Sequence, residues 1–165
     1  MYTAADGAPL MAWPVCSAIT RYDAETREVS GYAYAGGGRG VAAVDVSFDG
    51  GRAWTRAKLA APAVPDARDW AWRLWSAPLP PPEKLLRRAH SVETKPDGGV
   101  VVTVYDKDAP LTHVSVLARA TDKRGATQPL APRDAIAAMP KGYLYNAAHA
   151  VTVPVAKSTR CNHLH

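Results

Sequence analysis

Apolar and polar residues alternate with a period of two along most of this chain, the pattern of half-buried β-strands. The clearest stretch is Val29–Trp54, VSGYAYAGGGRGVAAVDVSFDGGRAW. In it Val29, Gly31, Ala33 and Ala35 alternate with Ser30, Tyr32, Tyr34 and Gly36. A second run puts Val41, Ala43, Asp45, Ser47 and Asp49 on one face and Ala42, Val44, Val46 and Phe48 on the other. The glycine knot Gly36-Gly37-Gly38-Arg39-Gly40 joins the two runs. Asp49-Gly50-Gly51 then supplies the positive-φ residues of a tight turn, after which Trp54–Leu59 returns as a strand. The pattern predicts a β-hairpin pair with one strongly apolar face.

The same alternation places a short strand at Val15–Thr20 and others at Gly99–Tyr105, Thr112–Ala120 and Ala147–Val153. Trp70, Trp72 and Leu74 share one face of a further strand, and Ala71, Arg73 and Trp75 share the other. So many tryptophans imply that both faces are covered, one by the core and one by a partner surface. Trp72 is expected in the core, while Trp70 and Trp75 are the candidates for the interface. Helical signal is weak: a single turn is expected within Glu83–His90 and another at Asp134–Ala138. Seven or more short strands with turns every eight to twelve residues point to an all-β sandwich. Residues 1–13 are expected to be a linker from an upstream region, 14–156 the sandwich, and 157–165 a disordered polar tail.

At 165 residues the chain has the size of one domain with a sizeable core. Its net charge of +5 is spread out, with Arg87-Arg88 and Lys123-Arg124 as the adjacent basic pairs, so a solvated basic surface is favoured over nucleic-acid binding. No apolar run reaches the ~20 residues of a membrane-spanning helix, and Met1–Val15 lacks a basic start followed by an apolar block. Cys16 and Cys161 lie at opposite ends, which argues against a disulfide framework and against a zinc site built on paired cysteines.

The glycine knot lacks the spacing of a phosphate loop and no helix follows it, so a sharp corner of the sheet is the better reading. Arg39, a cation on a rigid turn, is a candidate for a contact, with a solvated arginine as the alternative. Asp49 and Asp122 belong to turns where a carboxylate bonds its own backbone, and with Asp45 they make no convincing acid pair or metal site. The tail Cys161-Asn162-His163-Leu164-His165 carries soft ligands without an upstream partner.

The segment GYAYAGGGRGVAAVDVSFDGGRAW resembles the C-terminal dimerisation domain of sulfite oxidases and plant nitrate reductases, which are molybdenum-cofactor oxidoreductases, and the resemblance implies that the all-β sandwich is immunoglobulin-like. PVCSAIT (Pro14–Thr20), DWAWRLWSAPL (Asp69–Leu79), ARATDKRGATQP (Ala118–Pro129) and GYLYNAAHAVTV (Gly142–Val153) are similar in the same order. The excursion over Lys84–Val104 is additional to the family's usual path and is expected to be a surface loop or an extra hairpin. The resemblance implies a homodimer, with the glycine-knot turn near the subunit interface and Arg39 in an intersubunit or interdomain ion pair. It also implies a molybdopterin-binding catalytic domain as partner, in the same or a separate chain, and a parent reaction oxidising sulfite to sulfate. Nitrate reduction is the close variant, and a free-standing binding module without enzymatic role is the rival. A mitochondrial intermembrane or periplasmic setting is implied as well.

The molybdenum cofactor belongs to the parent enzyme. Cys16 and Cys161 match no cofactor cysteine, so the chain alone is expected to bind none and to lack oxidase activity. In sulfite oxidases this domain lends an arginine to the anion pocket from an N-L-R-G segment. Here Met139-Pro140-Lys141-Gly142 stands in its place, making Lys141 the candidate pocket residue. The family's N-A-W-H-R-V becomes Asn146-Ala147-Ala148-His149-Ala150-Val151, with a tryptophan and an arginine both reduced to alanine.

Overall fold

The computed structural model describes residues 13–61, 70–86, 90–94, 100–104, 112–138 and 145–155. Within them the chain forms an all-β sandwich. One sheet holds β1 (Cys16–Asp23), β2 (Glu28–Tyr34), β6 (Arg73–Pro78) and β5 (Lys58–Leu59) in the order β1-β2-β6-β5. The other holds β10 (His149–Pro154), β9 (His113–Asp122), β3 (Val41–Ser47) and β4 (Thr55–Arg56) in the order β10-β9-β3-β4. All pairings are antiparallel. Two short helices, α1 (Pro82–Leu86) and α2 (Pro132–Ala138), are set into the connections, and each begins at a proline, whose fixed φ suits a first helical position.

Period-two alternation explains the layers. Val29, Gly31 and Ala33 of β2 face inward beside Trp75 and Ala77 of β6, and meet Val44 and Val46 of β3 and Val114, Val116, Ala118 and Ala120 of β9. Burying such aliphatic side chains contributes roughly 1.5–3 kcal/mol each. The excursion over Lys84–Val104 carries an extra hairpin, β7 (His90–Thr94) paired with β8 (Val100–Val104), separate from both main sheets.

Three local expectations are corrected. The runs on either side of the glycine knot are not a hairpin: β2 and β3 lie in different sheets, and the knot carries the chain from one to the other. The return after the Asp49-Gly50-Gly51 turn does pair with β3, through Asp45 opposite Arg56 and Val46 opposite Thr55. It does not continue as one strand, because the buried Ala57 still donates its N–H to Val44 O while Lys58 and Leu59 pair with β6. Finally, Trp72 is 61% exposed and Trp75 2% exposed, the reverse of the expected assignment. The period-two register decides this: Trp75 sits opposite Gly31 on the inner face, and Trp72 falls on the outer face with Leu74.

The pairing of Trp75 with Gly31 needs a missing side chain. A Cβ at Gly31 would lie 1.9 Å from Ala18 O and 2.8 Å from the Trp75 indole, so β1 and the tryptophan both occupy the space a methyl group requires. With glycine there, the Trp75 indole fills the core and its N–H reaches Tyr32 O at 3.0 Å. Gly31→Ala is therefore expected to lower stability by about 3 kcal/mol, the upper range for overpacking a core. Urea unfolding followed by tryptophan fluorescence checks this, and an unchanged midpoint would show that β1 separates from β2 without cost.

Candidate interaction surface

The outer faces of the two sheets differ in chemistry. On the β10-β9-β3-β4 sheet the outward positions carry paired charge: Arg56 Nε lies 2.9 Å from Asp45 Oδ1, and the Arg119 guanidinium stacks 4.0 Å above the Trp54 ring. On the β1-β2-β6-β5 sheet the outward positions include Glu28, Ser30, Lys58 and Ser76, and at one end of the face an exposed aromatic and aliphatic cluster. Trp72 lies against Tyr32 with ring centroids 4.4 Å apart and against Tyr34 at 6.3 Å, and Leu74 beside them is 63% exposed. Tyr32 pairs across the sheet with Ala18, and Tyr34 with Cys16, so the neighbouring strand adds only small side chains and the face stays flat. A cleft of about 420 Å³ lined by Lys58, Ala60, Ala61, Leu74, Trp75 and Ser76 borders it at the β5 edge.

The glycine knot closes one end of this face. Gly37, Gly38 and Gly40 take φ values of 65–68°, a region that side chains with a Cβ rarely adopt. A Cβ at Gly36 would lie 2.4 Å from Trp13 N, and one at Gly38 would lie 3.2 Å from the Trp70 ring. The bare backbone is thus the bed on which the Trp13 peptide and the Trp70 indole rest, leaving Trp70 54% exposed beside Trp72. Trp13, the last residue of the expected linker segment, is fixed by hydrogen bonds to its carbonyl from Gly36 N (3.0 Å) and Arg39 Nη2 (2.8 Å).

Arg39 makes its ion pair within the chain. Its Nε donates to Gly36 O at 3.0 Å and lies 3.4 Å from Oδ2 of Asp122, at the end of β9. The Asp122 carboxylate is fully buried. Its Oδ1 accepts the N–H groups of Arg124 and Ala126, both at 2.9 Å, whereas Oδ2 accepts no hydrogen bond, leaving the Arg39 charge to compensate it. One guanidinium therefore ties together the incoming chain, the knot and the end of the opposite sheet. Of the four residues singled out from sequence, Trp70 lies on the aromatic surface, Arg39 beneath it and Trp75 in the core, while Lys141 lies outside the described residues. The tail ligands from Cys161 onward lie outside them too.

A second polar cluster stitches the sheets along the seam between β1 and β10. The buried Gln128 is its hub: its Oε1 accepts from Ser17 Oγ (2.6 Å) and Ala120 N (2.8 Å), and its Nε2 donates to Asn146 O (2.9 Å) and Ala147 O (3.1 Å). Asn146 Nδ2 donates to Val15 O at 3.1 Å, and Ile19 N donates to His149 Nδ1 at 3.1 Å. Sequence inspection passed over Gln128, since a lone glutamine in a connecting segment carries no periodic signal.

The donor set of the described residues does not fit a molybdenum centre. Among the described residues no three His, Cys, Asp or Glu side chains converge. Burial pushes the Cys16 thiol up, outweighing hydrogen bonds from Tyr34 and Trp13, so it stays protonated rather than being a ready thiolate ligand. Asp45, Asp49 and Asp122 are engaged in an ion pair and two turns: Asp49 Oδ1 accepts from Ser47 Oγ, Arg52 N and Ala53 N.

The fold defines the class: an immunoglobulin-like β-sandwich of two antiparallel sheets. The profile of the Mo-co oxidoreductase dimerisation domain matches residues 12–97, more than half of the chain, and the chain belongs to that family. Mitochondrial sulfite oxidase of Homo sapiens is 48% identical over 90 residues, covering 49% of this chain and 16% of the human protein. Inducible nitrate reductase [NADH] 2 of Glycine max is 46% identical over 50 residues, covering 29% of this chain and 6% of its own length. The chain thus corresponds to a small part of these relatives. The sulfane dehydrogenase SoxCD of Paracoccus pantotrophus shares the fold, with a TM-score of 0.53 at 21% identity over 95% of this chain and 37% of its own.

Removing the Arg39 cation should leave a buried carboxylate without compensation. Arg39→Ala is expected to cost roughly 3–5 kcal/mol, as when one partner of a buried pair is deleted. Adding Asp122→Asn should recover part of the loss, because Asn keeps an acceptor for the turn and discards the charge. A thermodynamic cycle over the two single variants and the double variant reads the coupling, and additive losses would show that the pair contributes nothing.

Proposed function

We propose that this chain is the dimerisation module of a sulfite-oxidase-type molybdoenzyme, and that two copies meet through the outer face of the β1-β2-β6-β5 sheet. The observation that carries this reading is the uncovered cluster of Trp70, Trp72, Leu74, Tyr32 and Tyr34 on a flat sheet of a dimerisation-domain family member. Tryptophan and tyrosine dominate interface energetics because each buries a large rigid area with little entropy loss. A two-fold contact uses the same patch on both copies, which a flat face with little net charge permits. Sulfite rather than nitrate chemistry is favoured for the parent enzyme because the match to sulfite oxidase runs over 90 residues and that to the soybean nitrate reductase over 50. The mitochondrial sulfite oxidases among the relatives support a mitochondrial setting by the same route, with the periplasm as the bacterial equivalent.

The partner in catalysis would be a molybdopterin-binding domain, in the same or a separate chain. That domain would hold the molybdenum cofactor and supply the two-electron chemistry. The sandwich would fix the spacing of two such domains and cover the mouth of one, without oxidase activity by itself.

Sedimentation of the chain at micromolar concentration is expected to show a dimer. Trp72→Asp or Leu74→Asp should raise the dissociation constant at least about tenfold, as for central interface residues, with the far-ultraviolet circular dichroism unchanged. A wild-type chain that stays monomeric, or aspartate variants that dimerise as tightly, would defeat this assignment of the face.

Sequence alone supports a contribution from Lys141. It stands in place of an arginine whose planar fork would hold an oxyanion through two parallel hydrogen bonds, whereas an ammonium acts as a point charge. A hydrogen bond to a charged group is worth roughly 1.5–3 kcal/mol. In the assembled enzyme Lys141→Arg should therefore lower the KM for sulfite about tenfold and Lys141→Ala should raise it. Steady-state kinetics that are identical for both variants and the parent would place Lys141 outside the pocket.

A further inference from the structure

The seam between β1 and β10 contains one contact that depends on protonation state. Both strands are edge strands, β1 of one sheet and β10 of the other, so no backbone ladder joins them. Polar contacts do so instead, and among the described residues all but one of these come from groups that do not titrate: Ser17, Gln128 and Asn146. The exception is His149, whose Nδ1 accepts the N–H of Ile19 at 3.1 Å. A backbone N–H can only donate, so Nδ1 must carry the lone pair and the ring proton must sit on Nε2. A protonated imidazole presents N–H at both nitrogens. It would then face the Ile19 N–H donor to donor and leave that amide without its acceptor.

From this geometry we propose that His149 is an acid-released latch on the edge strand β1: neutral, it holds Ile19 to the opposite sheet, and protonated, it lets the strand go.

The surroundings support such a latch. The ring is half-buried on the inner face of β10, opposite Ala118 of β9. On β9 the titratable groups are His113, exposed at the start of the strand; Arg119, turned to the other face over Trp54; and Asp122, at the far end and engaged with Arg39. On β1 they are Cys16, opposite Tyr34 on the outer face; Arg21 and Asp23, paired with each other at 2.9 Å; and Tyr22, packed on the core. None of these charges contributes to the lowering of the His149 pKa from 6.5, whose cause is burial alone. A histidine pKa lowered on folding contributes stability that is fully present above its unfolded value and is lost as pH falls through the folded value. The latch therefore holds above about pH 6.5 and releases under mild acid.

Amide exchange resolved by nuclear magnetic resonance on the whole chain tests this, with the His149 ring followed in the same samples. Protection factors, which remove the intrinsic pH dependence of exchange, are compared for Ile19 and for Val29 in the interior strand β2. The expected result is that the His149 ring takes up its second proton below pH 6.5, and that Ile19 loses protection about tenfold or more through that step, the equivalent of one pKa unit. Val29 should keep its protection over the same range. A His149→Gln variant, whose side-chain oxygen cannot be protonated in this range, should show no such pH-dependent step at Ile19. The proposal is overturned if Ile19 protection is unchanged across the protonation of His149 in the wild-type chain. It is equally overturned if the glutamine variant keeps the same step.

Discussion

The close approach of three strands at Gly31 is the constraint on which the sandwich depends. The residue has no side chain, so the Ala18 carbonyl of β1 and the Trp75 indole of β6 both move into the space above it. The large ring then occupies the centre of the core with its one polar atom satisfied by Tyr32 O. Around it the interior is built from small and β-branched side chains, chiefly valine and alanine, which pack closely against a flat ring. A methyl group at that one position would push apart the two strands that flank β2.

Apolar packing fills the sandwich, but charge and hydrogen bonding decide how its sheets are registered. At one end Arg39 holds the incoming Trp13 peptide, the glycine knot and the buried Asp122 together. Along one edge Gln128 uses both its oxygen and its amide to join β1, β9 and the segment leading into β10. Buried polar groups of this kind contribute modestly when satisfied and are costly when left unpaired, so they select one arrangement of the sheets over others. This polar framework leaves the outer face of the β1-β2-β6-β5 sheet free of structural duties. That freedom is what makes its aromatic cluster notable, because nothing in the fold requires tryptophan there.

For an association module the useful chemistry lies in what is exposed and rigid. Trp70 is seated on Gly38, and Trp72 is braced by Tyr32 and Tyr34, so the aromatic side chains are held in place before any partner arrives. Preorganisation of this kind lowers the entropic cost of binding. On the opposite sheet, by contrast, Arg56 is paired with Asp45 and Arg119 is stacked on Trp54.

The residue pattern by itself determined the fold class, the positions of most strands and the two faces of the tryptophan strand. All of these follow from period-two alternation, a property of local backbone geometry. It also carried the family resemblance, through GYAYAGGGRGVAAVDVSFDGGRAW and the four shorter segments that follow the same order, and the turn roles of Asp49 and Asp122, which depend on neighbours in the chain. Tertiary structure decided the rest. Alternation separates two faces but does not say which is inner, so the places of Trp72 and Trp75 were settled only when Gly31 was found opposite Trp75. The glycine knot shows that the chain turns sharply, yet whether it stays in one sheet or crosses to the other depends on strands far away in sequence. The same holds for the Arg39–Asp122 pair, the Gln128 hub and the His149–Ile19 contact, each of which joins residues distant in the chain, where no local signal can register.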